Sequence, residues 1–259
     1  MTATDDDLVQ RLRAAGCVYA EDEAALLLEA PVDTAGLDAL VDRRVAGEPL
    51  EWVLGWAAFA DEAGNGIRVA VAPGVFVPRG RTIELALAAD EVLAPNGVLV
   101  ELCCGSGAIA AFLRFLEPGR EVYAADIDPV AVACARTNLP GAQVLLGDLF
   151  APLPAALRGT VDVIVANTPY VPSDKVALMP PEARDHEPLH TLDGGSDGLD
   201  LLRRICVEAT DWLKPGGSVL IEISESQYDA ARDAFEAAGL VTSGRIDPDG
   251  TSVIIGQRA

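Results

Sequence analysis

The 259-residue sequence predicts an α/β fold, a doubly wound and mostly parallel sheet preceded by a small N-terminal helical domain and a linking β-hairpin. Three observations carry this. After Pro78, short apolar runs alternate with helix-length segments, and strands separated by about ten or more helical residues need the crossovers of parallel pairing. In the first fifty residues, apolar side chains recur at helical spacing instead. Between the two, apolar positions flank Ala63-Gly64-Asn65-Gly66, a turn sequence. The expected boundaries are 1–55 for the helical domain, 56–77 for the hairpin and 78–259 for the α/β domain.

In chain order, Leu8, Leu12 and Ala15 follow an Asp-rich start. Ala24, Leu27 and Leu28 repeat the pattern, as do Leu37, Leu40, Val41 and Val45, which predicts short helices. This part holds no catalytic grouping and reads either as a structural cap or as a partner contact. Trp56 to Val77 reads as the hairpin, with IRVAVAPGVFVP alternating like a strand. The strands beyond it are GVLVEL, EVYAAD, AQVLLG, VDVIVAN, SVLIEIS and TSVIIG. Helices are predicted near Thr82–Leu93, Ala108–Leu116, Pro129–Asn138, Leu199–Leu213 and Ser226–Ala238. Val171–Gly198 is rich in Pro, Asp and Glu and has no periodicity. A loop of that length in a compact domain is usually functional or disordered, and its place directly after Tyr170 makes it a candidate lid or substrate rim.

Composition excludes more than it assigns. The net charge of −21, with Lys175 and Lys214 the only lysines, argues against binding a phosphate backbone, which needs clustered cations. No apolar run reaches the roughly 18 residues of a membrane span, and MTATDDDLVQ lacks a leader pattern. Five cysteines without a CxxC pair, and two histidines, predict neither a metal site nor a disulfide framework, so a cytoplasmic location is expected. His186 and His190 read as solvated loop residues.

Three segments point to a nucleotide-like ligand. GVLVELCCGSGAIAAFLRF reads strand, glycine turn, helix. Glu101 ends the strand, and Cys103, Cys104, Gly105, Ser106 and Gly107 bring backbone amides to a helix start, where they can meet a polar ligand. EVYAADIDP puts Asp126 at the next strand's end, where a carboxylate accepts from ribose hydroxyls, with Ile127 beside it. Asp128 suits a helix N-cap ahead of Pro129. In VLLGDLF, Asp148 is placed to accept from the adenine amine, with Leu149 against the ring. CCGSGA departs from the GxGxxG of dinucleotide enzymes, which suits a ligand without phosphates.

VDVIVANTPYVP ends a strand at Asn167. Asn167 supplies an amide, Pro169 fixes the local backbone and so aims the Thr168 carbonyl, and Tyr170 offers a ring for stacking. Two carbonyl acceptors and an aromatic face suit a planar nitrogen.

On these motifs the sequence resembles the HemK/PrmC-type protein-(glutamine-N5) methyltransferases, class I enzymes of Rossmann-like fold. The resemblance runs from about Glu48 to the C-terminus. It includes PLEWVLGWAAF, VAPGVFVPR, ELCCGSGAIA, AADIDPVAVACARTN, GDLFAPL, VANTPYVP, LMPPEARDHEP, LDGGSDGLDLLRRI, LKPGGSVLIEIS and Gln227. The Pro181–Asp200 stretch is the most diagnostic part. The resemblance implies S-adenosylmethionine as cofactor, held by Glu101, Cys103–Gly107, Asp126, Ile127, Asp148, Leu149 and Asn167. It implies a glutamine side chain of a peptide-chain release factor, in its Gly-Gly-Gln motif, held by Asn167, Thr168, Pro169 and Tyr170. Transfer would be an in-line displacement governed by positioning. The chain departs from the family at three places. Thr168 stands where the family has the first proline of Asn-Pro-Pro-Tyr, Cys103 stands for a glycine, and Gly80-Arg81-Thr82-Ile83 replaces Pro-Glu-Thr-Glu. The alternatives are a small-metabolite N-methyltransferase, an adenine-N6 or guanine-N2 nucleic-acid methyltransferase, and a cofactor-binding module without activity.

Overall fold

The computed structural model describes residues 3–61, 64–246 and 251–259. Apolar runs without alternation need burial on both faces, and they form the middle of a seven-stranded sheet. In β3 (Val98–Leu102) and β6 (Val161–Ala166), Leu99, Val100, Leu102, Val163, Ile164, Val165 and Ala166 are fully buried. The other strands are β4 (Glu121–Asp126), β5 (Gln143–Leu146), β7 (Leu213–Ser224), β8 (Leu240–Ile246) and β9 (Thr251–Arg258). The sheet order is β5-β4-β3-β6-β7-β9-β8, parallel except for β9, which runs antiparallel to both its neighbours.

The chain moves outward from β3 to β5, then returns to β6 on the far side of β3. That reversal opens a crevice at the strand C-termini, where sheets of this kind bind ligands. Register makes the crevice sharp. Leu102 pairs with both Ala125 and Ala166, so the next residues on the three strands, Cys103, Asp126 and Asn167, emerge side by side.

Two apolar layers cover the sheet. α5 (Ile83–Val92), α6 (Ala108–Leu116) and α7 (Pro129–Asn138) lie on one face with Phe59, Leu85, Phe112 and Leu139 buried among them. α9 (Asp200–Trp212) and α10 (Tyr228–Ala237) cover the other with Leu202, Ile205 and Phe235, and Phe150 stacks on Trp212 at 5.6 Å. The helices α1 (Ala3–Ala14), α2 (Ala20–Leu28), α3 (Thr34–Val45) and α4 (Leu50–Leu54) bury a separate cluster containing Leu8, Leu12, Leu27, Val41 and Val53. Trp52 joins this end to the rest by donating to the Val75 carbonyl at 2.9 Å. Among the described residues no helix is long and apolar enough to cross a membrane.

Several expectations need correction. Ala15 falls in the turn after α1, and Leu28 and Val45, the last residues of α2 and α3, are exposed. The hairpin pairs β1 (Trp56–Ala60) with β2 (Gly66–Ala70), but Val71, Val75 and Val77 are buried outside any strand. The turn residue Ala63 lies outside the described residues. β8 was not expected: it is an edge strand whose residues beyond Leu240 are mostly exposed, so VTSGR carries no apolar alternation. The segment 171–198 holds α8 (Pro181–His186) and two 3-10 turns, Val176–Leu178 and Leu189–Thr191, all too short for a periodic signal.

Candidate active site

A cavity of about 310 Å³ opens at the carboxyl ends of the central strands. Glu101, the turn Cys103–Ser106, Asp126, Ile127, Asp148, Leu149 and all four residues Asn167–Tyr170 line it. The sequence thus named one continuous wall, with one exception: Gly107 does not reach the cavity. It takes a left-handed φ of 73° at the start of α6, and a Cβ there would lie 2.8 Å from Leu139 Cδ1, so its role is tight helix packing.

Cys103 also adopts a left-handed φ, 52°, which L-residues other than glycine rarely take. Its thiol packs against the apolar cluster beneath α9. Cys103→Gly is therefore expected to leave thermal stability nearly unchanged, since relieved strain offsets lost packing. Cys103→Val is expected to lower stability by about 1–2 kcal/mol. Thermal midpoints of the two variants check this, and a Val variant as stable as the Gly variant would remove strain from the account.

Glu101 is 2% exposed, and its Oε2 accepts from the Ala110 amide at 3.0 Å within the first turn of α6. Burial, reinforced by the nearby Asp126, pushes its carboxyl up to about 8. An unfolded glutamate ionises near about 4.3. Between these values the folded chain keeps a proton that the unfolded chain releases. The contribution to stability is therefore complete at acidic pH and is lost as pH rises through about 8. In thermal melts without cofactor, the wild type is expected to lose stability relative to Glu101→Gln as pH rises from about 5 to 8, by up to about 1.4 kcal/mol per unit. Parallel curves for the two proteins would contradict it.

At the end of β4, both Asp126 oxygens accept backbone amides, from Gly105 at 2.8 Å and from Asp128 at 2.9 Å. The carboxylate thereby ties the glycine turn to β4 while facing the cavity. Burial raises its pKa despite these bonds. Asp128 caps α7 by accepting from Val130 at 2.7 Å. Ile127 is 62% exposed at the cavity edge, an unusual position for a large apolar side chain. Asp148 pairs with Arg204 at 2.6 Å, and Leu149 is buried with a left-handed φ of 47°.

Asn167 Nδ2 donates to Thr82 Oγ1 at 3.0 Å. The Tyr170 hydroxyl accepts from Arg81 at 2.5 Å and donates to Glu222 Oε1 at 3.2 Å. Burial raises both the Tyr170 and the Glu222 pKa. The 171–198 segment braces this motif from behind. Val171 exchanges backbone bonds with Leu192 and Gly194, and Gln227 Nε2 donates at 2.8 Å to the carbonyls of Tyr170 and Asp197. A Cβ on Gly194 would lie 2.4 Å from the Pro169 carbonyl oxygen, and one on Gly198 2.1 Å from that of Tyr170. Glu187, with its side chain 1% exposed, holds Arg79 at 2.6 Å. Met179, His190 and Leu192 reach the cavity rim. His190 keeps a solvent-exposed side chain, and its Nε2 lies 3.4 Å from Asp128. Arg81, Thr82, Glu222 and His190 were not named as site residues, because only tertiary contact brings them to the motif.

Residues 66–179 match the family described as Methyltransferase small domain. The chain is 37% identical over 216 residues to the release factor glutamine methyltransferase of Mycolicibacterium smegmatis, covering 82% of this chain and 74% of that protein. It is 35% identical over 236 residues to that of Geobacter sulfurreducens, covering 88% and 79%. With the protein of Streptomyces coelicolor it shares 40% over 194 residues, covering 73% and 67%. The chain belongs to the release factor glutamine methyltransferase family. S-adenosylmethionine is the methyl donor of this family.

Solved structures support the fold alone. A methyltransferase from Pyrococcus furiosus superposes with a TM-score of 0.56 at 19% identity, covering 74% of this chain and 88% of that one. A 16S rRNA methyltransferase from T. thermophilus gives 0.57 at 21%, covering 79% and 51%.

Membership in the release factor glutamine methyltransferase family gives the departures physical meaning. Where acidic residues are replaced, Arg81 holds the Tyr170 hydroxyl and Ile83 is buried in the core. Thr168 is 3% exposed, so the residue replacing a proline is still packed in place.

Proposed function

We propose that this enzyme methylates the side-chain amide nitrogen of a glutamine in a peptide-chain release factor, within its Gly-Gly-Gln motif. The observation that carries this reading is that Asn167–Tyr170 and the turn Cys103–Ser106 line one cavity, with Asp126 between them. The donor set fits S-adenosylmethionine: the half-buried carboxylate of Asp126 at the end of β4, an exposed apolar Ile127 and a glycine turn that departs from the GxGxxG pattern. Asp126 would accept from ribose hydroxyls. Ile127 and Leu149 would flank the adenine, and Asp148, held by Arg204, would accept from its amine. When bound, the cofactor supplies an electrophilic methyl group on a sulfonium.

The chain's own work is positioning. Asn167 Oδ1 and the Thr168 carbonyl would accept both N–H hydrogens of the glutamine amide, which fixes its plane and favours lone-pair density on nitrogen. Tyr170, pinned at its hydroxyl by Arg81 and Glu222, would cover one face of that plane. Such orientation supplies on the order of 7–11 kcal/mol of barrier reduction in favourable cases. A charge of −21 counts against a nucleic-acid acceptor. The test is methyl incorporation from labelled cofactor into release factor, RNA and DNA offered separately. Label in the release factor alone supports the reading, and label in RNA or DNA alone overturns it.

A further inference from the structure

The segment 171–198 borders the cavity through Met179 before α8 and through His190 and Leu192 after it. The Leu192 carbonyl accepts from the Val171 amide at 3.1 Å, so this rim continues directly from the motif that ends at Tyr170. α8 carries both stretches, yet it has six residues, and Ala183 is the buried one among them. A helix that short does not hold its shape alone in water, where even about 12–15 residues are marginal.

Charge sets its place instead. At its C-terminal end Glu187 holds Arg79 at 2.6 Å and accepts from the Val77 amide at 3.3 Å. In its first turn Glu182 Oε2 lies 2.9 Å from Nη1 of Arg44, a residue of α3. Arg44 is itself fixed, with a side chain 9% exposed. Its Nε and Nη2 donate to the two Glu23 oxygens at 2.6 and 3.0 Å, and Nη1 donates to the Glu48 carbonyl at 2.9 Å. A two-point pairing of guanidinium and carboxylate sets the plane of the guanidinium, which aims Nη1 at α8. A second contact lies alongside: a Cβ on Gly47, in the turn after α3, would lie 3.2 Å from His186 Nε2.

We propose that the N-terminal helices position the acceptor-side rim of the cavity, with Arg44 as the positioning residue, acting through Glu182 on Met179 and Leu192. This gives the N-terminal helices a part in acceptor binding that needs no contact between them and the acceptor. The inference rests on the reading of a release-factor glutamine as the methyl acceptor.

The experiment compares the full-length wild type with Glu182→Ala, Glu182→Gln and Asp185→Ala. Asp185 is the control, an exposed carboxylate of α8 paired with its neighbour Arg184 at 2.7 Å. Hydrogen exchange is measured without substrate, and steady-state kinetics with release factor, beside cofactor affinity and thermal midpoint. In Glu182→Ala the amides of residues 180–192 are expected to exchange faster, while those of α1–α3 keep wild-type rates because Arg44 retains Glu23. KM for release factor is expected to rise about fivefold, the worth of one partly exposed ion pair, with kcat, cofactor affinity and thermal midpoint close to wild type. Glu182→Gln can still accept from Arg44 and falls between the two, and Asp185→Ala behaves as the wild type. A merely structural pair would lower the midpoint and leave KM alone. Unchanged exchange over 180–192, an unchanged KM, or an equal rise in KM for Asp185→Ala would each overturn the proposal. Failure of the wild type to methylate release factor would remove the acceptor reading, whereas unchanged exchange removes the role of Arg44 even where the wild type methylates release factor normally.

Discussion

Replacing Asn167 by alanine is expected to lower kcat by about 100- to 1,000-fold, the range seen when one preorganised polar group at a reacting centre is removed. Cofactor affinity should change little. Asn167 follows the last residue of β6, and its side-chain amide makes one hydrogen bond, to Thr82. The wall formed by Gly105, Asp126 and Asp148 does not depend on it. Stability should also hold, since the strand preceding Asn167 is fixed by Val163, Ile164 and Val165, all fully buried. Single-turnover rates and equilibrium binding of the cofactor separate the two effects. Equal loss of binding and turnover would contradict the division of labour between the two walls of the cavity.

The second large effect concerns Gly198→Ala. Its φ of 79° is left-handed, and a Cβ would lie 2.1 Å from the Tyr170 carbonyl oxygen and 2.3 Å from Gln227 Nε2. Neither neighbour can yield cheaply, because the same Gln227 amide bonds both Tyr170 and Asp197. A loss of about 2–4 kcal/mol is expected from strain and collision together, lowering the thermal midpoint by roughly 5–15 °C in a domain of this size. Turnover should fall as well, since the displaced carbonyl belongs to Tyr170. Gly216→Ala is the control: its φ is 76°, but a Cβ there meets nothing within 4 Å. Only the left-handed strain then remains. Equal midpoints for the two variants would show that the close packing behind Tyr170 has no energetic weight.

What could be read from the sequence, and what could not, follows the range of the interactions. α6 and α7 span the residues predicted for them, Ala108–Leu116 and Pro129–Asn138, because a glycine turn or an Asp-Pro start marks each locally. Asp126 and Asn167 were legible as site positions because each ends an apolar strand, and parallel register brings strand ends together. The edge strand β8 was not legible, since an exposed strand needs no apolar face. Nor was the support of the motif. Glu222 lies 52 residues from Tyr170 along the chain, and Asn167 lies 85 from Thr82. Nothing local in SVLIEIS or in Pro78–Ile83 announces those contacts. The diagnostic glycines of LDGGSDG acquire a reason only in three dimensions, where Gly194 and Gly198 lie against the backbone of Pro169 and Tyr170.

The central claim is that the cavity presents a glutamine amide nitrogen to the methyl donor. The most direct measurement is fragmentation mass spectrometry of release factor after incubation with the enzyme and S-adenosylmethionine, with a Gln→Glu substitution in the Gly-Gly-Gln motif as the paired substrate. The account predicts a single added methyl on the glutamine side chain and none on the substituted protein. A methyl found on another residue, or equal methylation of the substituted protein, would contradict it.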